Sequence, residues 1–169
     1  MSKLINVLIV VDTDAIKQSN SRPSNDPARP TRIARHFAYM IASGTTIHGG
    51  QGTSDLSFRA LVGDTVLVFA TSSSGNCRDI VLLSGLSSVN KAEVLCRFEY
   101  CAVTRSAVAP RKGSTKLAVH NVDVCFYENS TNRTGTEDLQ VEFALYVRDD
   151  MGEPELFGYY SWNPTITVN

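Results

Sequence analysis

Two carboxylates one residue apart, Asp12 and Asp14, follow directly on an apolar run, Ile5 to Val11. A third, Asp26, stands beside Asn25 in a Pro/Ser/Asn loop that begins at Ser21. Three carboxylates and an amide oxygen suit a hard cation such as Ca²⁺, which takes about six to eight oxygen ligands. The same atoms accept charge-assisted hydrogen bonds from the vicinal hydroxyls of a sugar. If the loop folds back over the strand end, Asp12, Asp14, Asn25 and Asp26 become ligand-binding residues, with Asp12, Asp14 and Asp26 as metal ligands. The competing reading is ordinary strand-end and turn chemistry, in which Asp and Asn side chains bond the backbone two residues on. A second candidate is Gly158-Tyr159-Tyr160-Ser161-Trp162-Asn163-Pro164. Tyr159 or Trp162 would stack on a sugar face, or Trp162 and one tyrosine would close the core.

Other constellations are weak. The sequence has neither a G-x-S-x-G elbow nor a Walker A motif, and Gly49-Gly50-Gln51-Gly52 precedes a strand rather than a helix. His36, His48 and His120 share no ligand spacing, and Cys77, Cys96, Cys101 and Cys125 contain no C-x₂-C pair. No catalytic residue is assigned, and the four cysteines read as reduced, small core or surface residues.

The elements that would position these groups are strands. Ile5–Val11 and Thr65–Thr71 are apolar on both faces, as in strands covered on both sides. Thr53–Ala60, Asp79–Leu86, Val94–Val103, Leu117–Tyr127, Leu139–Arg148 and Leu156–Trp162 follow, separated by polar connectors at 109–114, 129–136 and 149–154. Phe37–Ala42 also reads as extended. Val141, Phe143, Leu145 and Val147 form an alternating inner face. In Leu117–Phe126 the apolar phase switches near Asn121, which predicts a β-bulge there. The expectation is an all-β fold: one antiparallel β-sandwich, jelly-roll or immunoglobulin-like, over residues 1–169.

Composition agrees with a globular chain: 43% hydrophobic and 20% charged residues, with 16 Lys and Arg against 17 Asp and Glu. The balanced charge argues against a nucleic-acid partner. No run approaches the roughly 20 apolar residues of a membrane span. The N-terminal run lacks the flanks of a signal peptide, so a cytoplasmic location is expected, with signal-less export as the alternative.

Several blocks in order resemble the bacterial inclusion-body protein family of PixA and AidA type. They are Ile5–Asp14, Asn25-Asp26-Pro27, Gly52–Phe58, Val62-Gly63-Asp64 and Phe157–Thr165. In that pattern an Asp often precedes the last Pro, where this chain has Asn163. The resemblance implies host-associated bacteria, lectin-like sugar binding, and intracellular crystalline inclusions in methionine-rich members. With three methionines, a methionine-storage role does not transfer to this chain. The leading expectation is thus a non-enzymatic, carbohydrate-binding homo-oligomer, dimer or tetramer, with Ca²⁺ assisting. The alternative is a structural or storage protein that self-assembles without a small ligand.

Overall fold

Alternation turns the first apolar run into a strand with one core face. In β1 (Leu4–Val11), Ile5, Val7, Ile9 and Val11 are buried, while Asn6, Leu8 and Val10 are only half-buried. The outer face is therefore less covered than the run of apolar residues suggested. The structure is a computed structural model describing residues 2–19 and 22–169; Ser21, where the first loop begins, lies outside the described residues.

The chain continues through a short helix, α1 (Thr13–Ser19), then β2 (Thr31–Arg32), a 3₁₀ turn at Arg35–Phe37, β3 (Ala38–Ser43), β4 (Ile47–Gly49) and β5 (Asp55–Phe58). Next come β6 (Thr65–Ser72), β7 (Asp79–Ser88), β8 (Leu95–Pro110), β9 (Leu117–Thr131), β10 (Gly135–Arg148), β11 (Pro154–Trp162) and β12 (Thr165–Val168). The all-β expectation holds. The wholly antiparallel one does not, because the two sheets are mixed. In the first, ordered β3-β1-β6-β9-β8, β1 runs parallel to β6 with Leu4 opposite Thr65 and Val11 opposite Ser72. The chain reaches that partner only after a crossover through residues 12–64, the kind of long connection that parallel pairing requires.

In the second sheet β10 is the axis. β7 lies along one edge, and β11 followed by β12 along the other. Between β11 and β12, Leu139 N–H donates to Pro164 O (2.9 Å) and Asn163 Nδ2 to Leu139 O (3.1 Å), which keeps the broken strand on the β10 edge. β5 adds parallel to β12, and β2 parallel to β11.

The two sheets share one hydrophobic core. It joins Ile5, Val7 and Val68 of the first sheet to Phe58, Phe143, Tyr160 and Trp162 of the second. Phe143 and Tyr160 stack with centroids 5.7 Å apart. Fully burying such side chains contributes about 1.5–3 kcal/mol each.

β8 and β9 leave this body together. Their register runs unbroken from Cys101–Phe126 to Pro110–Leu117, but β6 pairs β9 only at Tyr127–Ser130. Residues 102–125 therefore form a two-stranded arm, closed at its tip by Arg111 N–H donating to Lys116 O (2.9 Å). The expected bulge at Asn121 is absent; the irregularity falls between Cys96 and Glu99. The phase switch arises because Leu117 and Val119 project from one face of the arm, and Val122, Val124 and Phe126 from the other.

Candidate functional site

At the exit of β1 the chain turns into α1 because Asp12 caps it. The Asp12 carboxylate accepts from Ala15 N–H (3.0 Å) and its carbonyl from Ile16 N–H (3.1 Å). Ile16 is wholly buried and pins the helix to the core. With a single buried apolar residue on so short a helix, the periodicity offered nothing to find, although Asp12 as cap, Asp14 in the first turn and Lys17 in the last are helix-end signals.

The helix carries a charged network to the β6–β7 loop. Thr13 Oγ1 and Lys17 Nζ each donate to the buried Asp79 Oδ2 (both 2.6 Å). Arg78 grips both oxygens of Asp14 (2.8 and 2.7 Å), and Lys17 also reaches Asp14 at 3.2 Å. Lys17 above all holds the exposed Asp14 carboxyl below its ordinary value; burial opposes it, and Arg78 adds to the lowering. Asn76, at φ 58°, accepts from Ser72 N–H (2.9 Å) and Val81 N–H (3.0 Å), which shapes the loop that delivers Asp79. Two carboxylates, Asp14 and Asp79, thus face two cations, leaving little net field to draw a divalent ion.

Asn25 and Asp26 sit elsewhere. Their loop docks on β11, where Tyr159 N–H donates to Ser24 O (2.8 Å) and Pro23 packs against Gly158, closely enough that a Cβ there would lie 2.5 Å from the ring. Both residues are exposed, and Asp26 Oδ1 accepts from Ala28 N–H (2.9 Å) in an Asx turn. The structure therefore brings Asn25 and Asp26 toward Tyr159, while Asp12 caps α1 and Asp14 shares Lys17 with Asp79. Among the described residues, no group of three or more His, Cys, Asp or Glu is placed to hold a metal ion. Asp12, Asp14 and Asp26 accordingly do not form the shared oxygen set the sequence suggested: the first two are committed to α1 and its network, and the third to its own turn.

Trp162 is 0% exposed, and its Nε1 donates to Arg35 O (3.0 Å). Neither of its faces is open to a stacking ligand; it closes the core with Tyr160, whose enclosed hydroxyl has no hydrogen-bond partner among the described residues. Burial pushes that phenol up to about 12. Tyr159 is half-buried and keeps one side toward solvent.

Sequence reading missed three features. A cleft of about 380 Å³ joins Arg32, Arg35, Asp138, Gln140, Asn163 and Thr165, but Arg35 is already committed to Asp55 and Asn163 to Leu139. Glu137 is fully buried and accepts from Val94 N–H (2.6 Å), Leu95 N–H (3.2 Å) and the Ser88 hydroxyl, pinning the β7–β8 connection. No local signal marks it, because its partners lie more than forty residues away. The third is the arm. Val108, Leu117 and Val119 are 61%, 68% and 69% exposed, and the phase switch near Asn121 was their signature.

All four cysteines are free. Burial and the nearby Glu99 and Glu128 carboxylates raise the Cys101 pKa, the opposite of an activated thiolate. Among the described residues, no helix is long and apolar enough to cross a membrane.

A model of the PixA inclusion body protein family matches residues 3–168. The crystal structure of an inclusion body protein (PixA) from Burkholderia cenocepacia J2315 superposes with a TM-score of 0.87 at 26% identity, covering 99% of this chain and 97% of the other. A search of curated proteins finds no significant match. With the family pattern running from the first strand to the last, this chain belongs to the PixA family of inclusion body proteins.

Proposed function

We propose that this chain is a non-enzymatic, cytoplasmic protein whose role is ordered self-assembly, as the inclusion-body name of its family suggests. The observation that carries the reading is the arm. An isolated two-stranded ribbon is marginally stable in water. Among the described residues, this one also leaves both backbone edges unpaired beyond Tyr127 and exposes large aliphatic residues on both faces. Natural proteins tolerate such edges where a partner covers them. Carbohydrate binding with Ca²⁺ ranks below it, because Asp12, Asp14 and Asp26 are engaged within the chain and Trp162 is enclosed.

Sedimentation velocity over a dilution series tests the proposal directly. Species heavier than the monomer should grow with concentration, and electron microscopy of overproducing cells should show dense ordered bodies. A chain that stays monomeric at the highest concentration reached overturns it.

A further inference from the structure

The arm's tip has a specific character. Cross-strand pairs Val108–Val119 and Pro110–Leu117 place four apolar side chains on one face. Directly beyond them, the closing loop carries Arg111, Lys112 and Lys116. Residues 102–125 hold four of the chain's 16 Lys and Arg and one of its 17 Asp and Glu, Asp123 at the base of the arm, which accepts from the Thr104 hydroxyl (2.7 Å). The arm is thus an apolar plug with a cationic rim.

The body carries its counterpart. Ile80, Leu82, Tyr146 and Pro154 line an open groove of about 220 Å³ with apolar walls, where β7, β10 and the start of β11 meet. Leu82 is 39% exposed, and Met151 at the adjoining turn is 87% exposed. Around that turn stand Asp149, Asp150, Glu153 and Glu155, against Arg148, whose Nη1 donates to Gly152 O (3.0 Å), and Arg78, which adjoins the Asp79–Val147 pair and is bound to Asp14. All four carboxylate residues are exposed. This groove is an apolar socket with an anionic rim.

We infer that the tip of the β8–β9 arm of one chain docks in the β7/β10/β11 groove of a second copy of the same chain. The inference rests on the self-assembly reading above and supplies its geometry. Matched apolar centres account for desolvation, and opposite rims set orientation and encounter rate. Plug and socket are different surfaces, so the contact is heterologous: it closes only as a reciprocal pair or a ring, and otherwise propagates from copy to copy. One plug is a small contact. An array in which every chain gives one arm and receives another gains strength by multivalency.

Charge reversal at exposed positions tests this in the full chain. Lys112→Glu with Lys116→Glu, and separately Asp150→Lys with Glu153→Lys, should each weaken self-association at least ~10-fold in sedimentation velocity at low salt. Melting temperature should stay close to wild type, showing that the fold survives. Combining all four changes should restore association to within a few-fold, since the rims are then exchanged. If wild type associates and both reversed forms associate equally well, or if the combined form gives no recovery, the arm-in-groove contact is overturned while self-assembly stands. If wild type itself is monomeric throughout, both readings fall together.

Discussion

In the body, Trp162 and Tyr160 are wholly enclosed and the longer strands present an apolar face to a shared core. In the arm, Val108, Leu117 and Val119 keep more than half their surface in water, and apolar residues appear on both faces. Similar side chains thus sit in opposite environments, and the cause is topological. β10 is flanked by β7 on one edge and β11 with β12 on the other. Beyond Tyr127 the strands β8 and β9 pair, among the described residues, with each other alone, and only the base of β9, at Phe126, still packs on the body. An apolar residue in the body stabilises the monomer; one in the arm has no such role until something covers it.

The contrast is broken most severely at Trp162. Trp162→Ala should cost about 3–5 kcal/mol, read as a large fall in melting temperature or urea midpoint. An undiminished midpoint would mean that the core does not depend on β11. Next is Glu137→Leu, which leaves the N–H groups of Val94 and Leu95 buried without an acceptor and should cost about 2–3 kcal/mol. Native-state hydrogen exchange should then accelerate at the β7–β8 connection before it does in β1. Loss of the α1 cap by Asp12→Ala should cost about 1 kcal/mol in chemical denaturation.

Asp64 gives a pH-dependent contrast. Burial favours its neutral form, yet hydrogen bonds from Lys3 N–H (2.7 Å) and Leu61 N–H (2.8 Å) outweigh it and hold the pKa below 3.8. A carboxyl depressed in the folded state contributes stability that is full above the unfolded value of 3.8 and is lost as pH falls through the lower folded value. Acid titration of stability should therefore be steeper below about pH 4 for wild type than for Asp64→Asn. Parallel titrations would remove Asp64 from the account. The smallest effect belongs to the arm: Val119→Ser should change monomer stability by no more than about 0.5 kcal/mol. A loss like that at Trp162 would show that the arm already packs within its own chain.

Much of the fold was legible where period and burial agreed. Val141, Phe143, Leu145 and Val147 alternate in sequence, and the first three are buried at the centre of the second sheet. The mixed pairing was not legible, since nothing local in Ile5–Val11 says that its neighbour Thr65–Ser72 runs parallel. Thr31–Arg32 and Ile47–Gly49 are too short to carry a period and exist because neighbouring strands hold them. At the strand exit, the carboxylates at Asp12 and Asp14 were visible but their partners were not. Asp12 looks inward to its own helix, and Asp14 answers to Arg78, sixty-four residues away. The arm was written plainly as a phase switch at Asn121, but the same pattern describes a bulge, and only pairing partners separate the two.

The parallel partnership of β1 has a consequence for the order in which the chain is made. During synthesis β1 emerges first and can find β3 early, yet its second neighbour appears only after residue 64. Until then its apolar flank has no cover, and closure of so long a crossover is slow. The β8–β9 ribbon is the reverse case: a local hairpin closes in about 1–10 μs once its turn has left the ribosome. Its two strands are both in place before β10 and β11 have been added, so its pairing needs nothing that is still unmade in the second sheet. Since a lone two-stranded ribbon is marginally stable, what holds it at that stage is the short pairing of β9 with β6 at Tyr127–Ser130.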